Sequence, residues 1–347
     1  MKNIIEILER WTREGESVAL GSVVERIGSA PRDPGAALAV SAGGEVAGGV
    51  SGGCVEPGVI CEAREVLAGA PGRLLSYGLD DSDGIGSGLN CGGRIAVAIY
   101  LLDPAIVGPV ADAVRSDRPL AVTLRLDEEH FGEQEIVGCE GPPDGDGLAH
   151  AARSLLELGE SGIVASASGE KVFVESYAPR PDLYLFGASD HVAALVPLGK
   201  LLGYRVTVCD PRKLFLTRER FPGADVLVEE WPDRFLEHAP IDPRTAICMM
   251  THDLKFDVPA LKLALASNAG FIGAMGSERT RSDRTARLHD EGVGDAQLVR
   301  LHAPVGIDIG ARTPEEVAVS IAAQLIEANV VARKQRTDSA LPVTVFC

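Results

Sequence analysis

From Leu183 onward the chain alternates short, wholly apolar runs with helical stretches, and that alternation limits the possible folds more than any other feature. Leu183 to Phe186 reads as a strand, Gly187-Ala-Ser-Asp-His191 opens a helix, Leu201-Leu-Gly-Tyr204 closes it, and Arg205 to Cys209 is the next strand, ending at Asp210. Further strands at Ala224 to Val228, Thr245 to Thr251 and Gly270 to Gly273 alternate with helices at Val258 to Ser267 and Glu278 to Asp290. Strands and helices in this order build a parallel sheet with helices on both faces. The expectation is a Rossmann-like, doubly wound domain over residues 182–330, followed by a tail at 331–347.

The first turn of that domain carries the chemistry. A glycine turn lets pyrophosphate approach a helix N-terminus, and an acid about 20 residues on can take a ribose hydroxyl. Gly187, Ser189 and Asp210 occupy these positions, so NAD(P) or another nucleotide is the expected ligand. The glycine pattern is incomplete, because Ser189 replaces the second glycine and Val192 the third small residue. Asp210 also reads as a strand-end cap. Ligands of parallel sheets lie beyond the carboxyl ends of the strands. Two more stretches fall there: Thr251-His-Asp253, with His252 as an acid–base candidate, and Gly273-Ala-Met-Gly-Ser277, whose Gly276 and Ser277 precede a helix start suited to phosphate. A lone histidine such as His252 is more often a hydrogen-bonded structural residue.

Before Ala178-Pro-Arg-Pro-Asp182, a proline-marked linker, the pattern is different. Helical spacing of Ile4, Ile5, Leu8 and Trp11 leads into a strand from Ser17 to Ile27. A hairpin, further strands at Arg94 to Leu102, Leu120 to Leu126, Phe131 to Cys139 and Gly162 to Tyr177, and a helix near Leu148 to Leu158 complete an α+β domain over residues 1–178. The hairpin delivers the chain to Gly48-Gly-Val-Ser-Gly-Gly-Cys-Val-Glu56 at a helix start. Ser51, Gly52 and Gly53 can expose backbone N–H groups there, and the positive end of the helix adds to them, which reads as an anion site. The same field stabilises the thiolate of Cys54, the form that attacks or binds metal. A glycine-rich hairpin end followed by a buried cysteine is the other reading of these residues.

A second glycine-flanked cysteine, Cys91 in Asn90-Cys-Gly-Gly93, leads into the strand from Arg94, so both sulfurs are expected to face one pocket, with Gly92 beside them. Asp80-Asp-Ser-Asp83 lacks the spacing and closing glutamate of a calcium loop. Arg32, in the stiff loop Gly28-Ser-Ala-Pro-Arg-Asp-Pro-Gly35, suits phosphate or carboxylate, or is simply solvated. The other cysteines read differently. Cys61 keeps company with Val59, Ile60 and Ala63 and reads as core, and Cys209 and Cys248 lie in buried strand runs. Seven cysteines without a Cys-x-x-Cys pair make neither a disulfide framework nor a zinc ribbon.

A formal net charge of −17 argues against a sequence-independent nucleic-acid binder. No apolar run approaches the roughly 20 residues of a membrane span, and the start lacks the features of a secretory signal, so a cytoplasmic protein without stable membrane insertion is expected.

Ordered along the chain, Gly28-Ser-Ala-Pro-Arg-Asp-Pro-Gly-Ala36, Gly49-Val-Ser-Gly-Gly-Cys-Val-Glu56, Cys91-Gly-Gly93, the turn at Gly187, Gly273-Ala-Met-Gly-Ser277 and Leu301-His-Ala-Pro-Val-Gly-Ile-Asp-Ile-Gly310 resemble the XdhC/CoxI family. The departures are Ala30 in place of threonine, Asn90 before Cys91, and Ser189 in the dinucleotide turn. The resemblance implies an accessory chaperone that binds molybdenum cofactor, assists its sulfuration or maturation, and hands it to a xanthine dehydrogenase or carbon monoxide dehydrogenase type of molybdenum hydroxylase. It implies as partners a cysteine desulfurase and that client subunit, in a homo-oligomer. Molybdopterin carries a phosphate and a dithiolene, so its holder needs anion donors beside soft sulfur. On that reading Cys54 and Cys91 are sulfur ligands of the metal or sulfur relays, Arg32 touches phosphate and Glu56 orients. A maturation factor is thus expected rather than a stand-alone enzyme. The alternative is an NAD(P)-dependent oxidoreductase with His252 as its acid–base residue.

Overall fold

The computed structural model describes residues 1–78, 92–138, 147–165, 169–251 and 253–339. The chain divides into two compact units, one ending at Pro179 and one beginning at Arg180.

The first unit runs α1 (Ile5–Arg13), β1 (Val18–Ile27), β2 (Ala37–Ser41), β3 (Val46–Gly48), α2 (Glu56–Leu67), β4 (Arg73–Tyr77), β5 (Arg94–Leu101), α3 (Pro104–Arg115), β6 (Leu120–Arg125), β7 (Gln134–Val137), α4 (Gly147–Leu158), β8 (Gly162–Ala165) and β9 (Lys171–Tyr177). It holds two antiparallel sheets, ordered β3-β2-β1-β5-β4 and β7-β6-β9-β8. Alternation along β1 and β5 feeds two cores, as the two-residue period of a strand requires. Val18, Leu20, Val24, Ala96, Ala98 and Tyr100 join Leu8 and Trp11 of α1, while Ala19, Val23, Ile95, Val97 and Ile99 meet Val59, Ala63 and Val66 of α2. Gly21 permits that second contact, since a Cβ there would stand 2.5 Å from Val59 Cγ1.

The register decides where the loops go. Ile27 pairs with Arg94, Tyr77 with Ile95, and Gly48 with Leu38, so the loops after β1, β3 and β4 leave the same end of the five-stranded sheet. One expectation fails here: Cys61 is exposed. The buried face of α2 is Val59, Ala63 and Val66, and a residue two positions after Val59 lies about 200° around the helix from it.

The second unit runs β10 (Asp182–Phe186), α5 (Asp190–Leu201), β11 (Arg205–Cys209), β12 (Val226–Val228), α6 (Pro232–His238), β13 (Ala246–Met249), α7 (Leu254–Ala266), β14 (Phe271–Ala274), α8 (Glu278–Asp290), α9 (Asp295–Leu298), β15 (Leu301–His302) and α10 (Pro314–Ser339). Its six strands are all parallel in the order β12-β11-β10-β13-β14-β15, the doubly wound sheet expected. One face packs on α5 and α10 through Val192, Leu195, Ile321 and Leu325, the other on α6, α7 and α8 through Phe235, Leu261 and Leu288. Strands buried on both faces read as unbroken apolar runs, which explains their legibility. Leu301 and His302, read as part of a loop, instead add a short strand beside β14, with the His302 ring stacked 4.8 Å from that of Phe271.

Candidate functional site

In the first unit the glycine loop is closed by its own helix. Glu56, the first residue of α2, turns its carboxylate back, and the N–H groups of Val50 (3.1 Å), Ser51 (2.8 Å), Gly52 (2.9 Å), Gly53 (2.8 Å) and Val55 (3.2 Å) all donate to it. The Ser51 hydroxyl donates to Oε2 of the same carboxylate, which Gly53 and Val55 also reach, and accepts from Val55 N–H at 2.9 Å. The expected nest of donors is present, but the anion in it is Glu56. Burial pushes the Glu56 carboxyl up, and the hydrogen bonds from Ser51 and Gly53 outweigh it, bringing it down to about 2. Gly52 and Gly53 follow the required path with φ of +78° and +114°. Among the described residues the Cys54 N–H has no acceptor, and its half-buried side chain packs against the core cluster that α2 shares with the five-stranded sheet.

Gly92 and Gly93 meet the same end of the sheet. A Cβ on Gly93 would lie 2.5 Å from Ala30 N, so the loop after β1 and the strand entry of β5 touch backbone to backbone. Cys91 itself lies outside the described residues. Among the described residues no group of three His, Cys, Asp or Glu side chains is placed to hold a metal ion. Arg32 is exposed and lines a separate cavity of about 430 Å³ with Asp33, Gly49, Glu175 and Tyr177, of which Cys54 is not part. Among the described residues Arg32 has no hydrogen bond or ion pair, so its guanidinium remains uncommitted.

In the second unit a cleft of about 1240 Å³ opens where the strand order reverses, between β10 and β13. Gly187, Ser189 and Asp210 all line it. Gly187 needs its φ of +112°, and a Cβ there would stand 3.0 Å from Thr251 Cγ2 and 3.3 Å from Met250 O. Ser189 caps α5, its Oγ accepting from Val192 N–H at 3.4 Å. The close approach of helix to sheet, which Val192 denies, is made two turns later by Gly199, where a Cβ would meet Leu183 at 2.7 Å. Asp210 is buried and accepts from Ala188 N–H (2.7 Å) and, through both its oxygens, from Arg212. Burial raises the Asp210 carboxyl, and the Arg212 bonds more than offset it, so it lies below the ordinary aspartate value.

Sequence reasoning missed the cationic wall of this cleft: Arg212, Arg220, Lys255 and Arg287. The available signal was Asp210-Pro-Arg212 at the end of the second strand. It also missed a buried pair behind the loop after β13. Arg284 Nη2 donates to Asp257 at 2.7 Å and to Met275 O at 2.8 Å, and the Thr251 hydroxyl donates to the same Asp257. His252 lies outside the described residues. Gly276 and Ser277 do not line the cleft; the Ser277 Oγ caps α8 by accepting from Thr280 N–H at 3.2 Å.

No helix among the described residues is long and apolar enough to cross a membrane. Residues 183–325 match the family model described as the XdhC Rossmann domain, and residues 11–78 the model described as the XdhC and CoxI family. The chain is 27% identical over 332 residues to a probable xanthine dehydrogenase subunit of Bacillus subtilis, covering 94% of this chain and 98% of that one. It is 28% identical over 341 residues to the molybdenum cofactor insertion chaperone PaoD of Escherichia coli, covering 98% and 92%. A crystal structure described as a xanthine dehydrogenase of Bacillus halodurans superimposes with a TM-score of 0.67 at 27% identity, covering 99% of each chain.

Proposed function

We propose, from the premise that this chain belongs to the XdhC and CoxI family, that it is an accessory chaperone that holds molybdenum cofactor as cargo and delivers it to a molybdenum hydroxylase. The similarity to an insertion chaperone along 98% of the chain supports the class of task. The observation that carries the reading to a residue is Cys54, a half-buried thiol on a loop whose neighbouring N–H groups are already committed to Glu56. Such a loop cannot rearrange cheaply, so it fixes the sulfur's position while leaving the Cys54 N–H to a ligand. A fixed soft donor beside one backbone donor suits a dithiolene-bound metal that must later be released.

Cys54 is the proposed sulfur ligand or sulfur relay, with Cys91 as its partner and a cysteine desulfurase as the source of sulfur. Glu56 builds the loop and does not touch cargo. Arg32, uncommitted at the same end of the sheet, is the proposed phosphate contact, which requires cargo to reach from the Cys54 loop to the loop after β1. The client subunit and homo-oligomer formation belong to the same reading, and a role for His252 to the oxidoreductase alternative. The cleft of the second unit favours nucleotide binding as a further property of the chaperone rather than a stand-alone oxidoreductase.

Cys54→Ser keeps the size of the side chain and removes the soft ligand. The variant is expected to melt within a few degrees of the parent, to retain less molybdopterin after purification from a cofactor-producing host, and to activate its client less in cells. Early melting with normal cofactor retention and normal client activity would assign Cys54 to packing alone.

A further inference from the structure

The cleft of the second unit carries information about its ligand that is independent of the cargo loop. In a sheet of this kind an adenine dinucleotide lies across the carboxyl ends at the reversal of strand order, with its pyrophosphate on the first helix. The residues fit that placement. Gly187 brings the turn close, and among the described residues the N–H groups of Ser189, Asp190 and His191 have no protein acceptor, since Ser189 Oγ caps only Val192. The carboxylate of Asp190 is balanced by Arg220, whose Nη2 stands 3.0 Å from it.

The fit fails for the plain ribose of NAD. There the acid ending the second strand must accept hydrogen bonds from ribose hydroxyls. An ionised carboxylate offers about four lone-pair positions, and four protein donors already fill those of Asp210. Arg212 N–H (2.8 Å) and Nε (2.9 Å) reach Oδ1, while Ala188 N–H (2.7 Å) and Arg212 Nη2 (2.7 Å) reach Oδ2. The Asp210 side chain is 1% exposed, whereas that of Arg212 is 58% exposed. Among the described residues Arg212 Nη1 has no acceptor, on a guanidinium braced by Asp210 and lying 5.1 Å from the centre of the Phe215 ring.

We propose that this cleft takes an adenine dinucleotide bearing a 2′-phosphate, NADP(H), in preference to NAD(H), with Arg212 donating to the phosphomonoester. The brace matters because a guanidinium held at its Nε edge presents its remaining donors in one direction, which suits a phosphate. The Arg212 guanidinium lies over the Phe215 ring, and its outer face offers the plane against which the adenine stacks. Charge agrees: Asp210, Asp190 and Asp253 are matched by Arg212, Arg220 and Lys255, and among the described residues Arg287 is the cation of the wall left over for the ligand.

Calorimetric titration of the full chain with NADP⁺, NADPH, NAD⁺ and NADH, and with 2′,5′-ADP, 3′,5′-ADP and 5′-ADP, tests this without any assay of cofactor delivery. NADP(H) is expected to bind about ten-fold or more tightly than NAD(H), and 2′,5′-ADP to exceed 5′-ADP by a similar factor, the worth of one charge-assisted bond. In Arg212→Ala, Asp210 regains two acceptor positions, so the preference should vanish or invert. NAD(H) binding as tightly as NADP(H) to the parent, 3′,5′-ADP matching 2′,5′-ADP, or no binding of any of these would each overturn the assignment. Should Arg212→Ala not fold, the ratio of 2′,5′-ADP to 5′-ADP on the parent decides by itself.

Discussion

Two of the glycine turns that lead into a helix, Gly48 to Glu56 and Gly187 to Ser189, each have a carboxylate reaching into them. In the first, Glu56 comes from the helix that the turn begins and collects five backbone N–H groups. In the second, Asp210 follows the next strand and takes only the Ala188 N–H from the turn, its other donors coming from Arg212. The first turn is thereby closed to external anions and becomes a rigid mount for Cys54. The second keeps its helix-terminal donors and opens on a cleft of about 1240 Å³. A glycine-rich turn before a helix is thus an anion site only when no carboxylate of the protein is placed to fill it.

The sharpest way to break this comparison is to put the same methyl group on both turns. Gly53 and Gly187 have nearly the same φ, +114° and +112°, but an added Cβ meets nothing within 4 Å at Gly53 and crowds Thr251 and Met250 O at Gly187. Gly53→Ala is expected to cost backbone strain alone, about 1 to 3 kcal/mol. Gly187→Ala should cost that and the clash as well, and it should abolish nucleotide binding. Denaturant melts of the two variants check the order, and equal losses would mean that the turns do not differ in their surroundings.

Next in size is Glu56→Gln, which leaves one acceptor oxygen for donors that had two and removes the charge. A loss of about 1 to 3 kcal/mol is expected. It can be followed in the first unit by Trp11 fluorescence in a Trp231→Phe background, since the chain has two tryptophans, one per unit. The parent should also show a pH signature that the variant lacks. Because the folded carboxyl lies near 2, below an ordinary glutamate, its contribution is full above the unfolded value and disappears as pH falls toward about 2. A parent and variant with the same acid limb would remove Glu56 from the account of the loop.

The smallest effects concern the cysteines and separate mount from core. Cys61→Ser, on the exposed side of α2, should change stability by no more than about 0.5 kcal/mol. A thiol reagent should modify Cys61 and Cys54 in the folded protein but spare Cys209 and Cys248, which burial pushes up to about 12. Rapid labelling of Cys248 without unfolding would contradict the packing of β13.

How far the sequence could be read followed from how locally each feature is encoded. The parallel strands β10, β11, β13 and β14 were readable because burial on both faces leaves a continuous apolar run. β4 escaped notice because an edge strand of alternating half-burial, Arg73 to Tyr77, resembles any connecting segment. α3 escaped because Pro109 stands inside it, although Asp103 before Pro104 is a readable helix start, its side chain accepting from Ala105 N–H at 2.9 Å. At the sites, Gly187, Asp210 and Cys54 were evident as residue types at the right spacing. Arg212 was not, since its value depends on which oxygens of Asp210 it occupies.

The sequence by itself determined the doubly wound second unit, the mixed first unit and the glycine turns with their cysteine and acids, because strand and helix periods and the backbone freedom of glycine act between near neighbours. Only the tertiary structure decided that Glu56 fills one turn, that Cys61 faces solvent, and that Arg212 saturates Asp210 while holding a donor out to the cleft. The direction of a side chain and the hydrogen bonds left to it are set by atoms that folding brings together, and spacing along a chain does not contain that information.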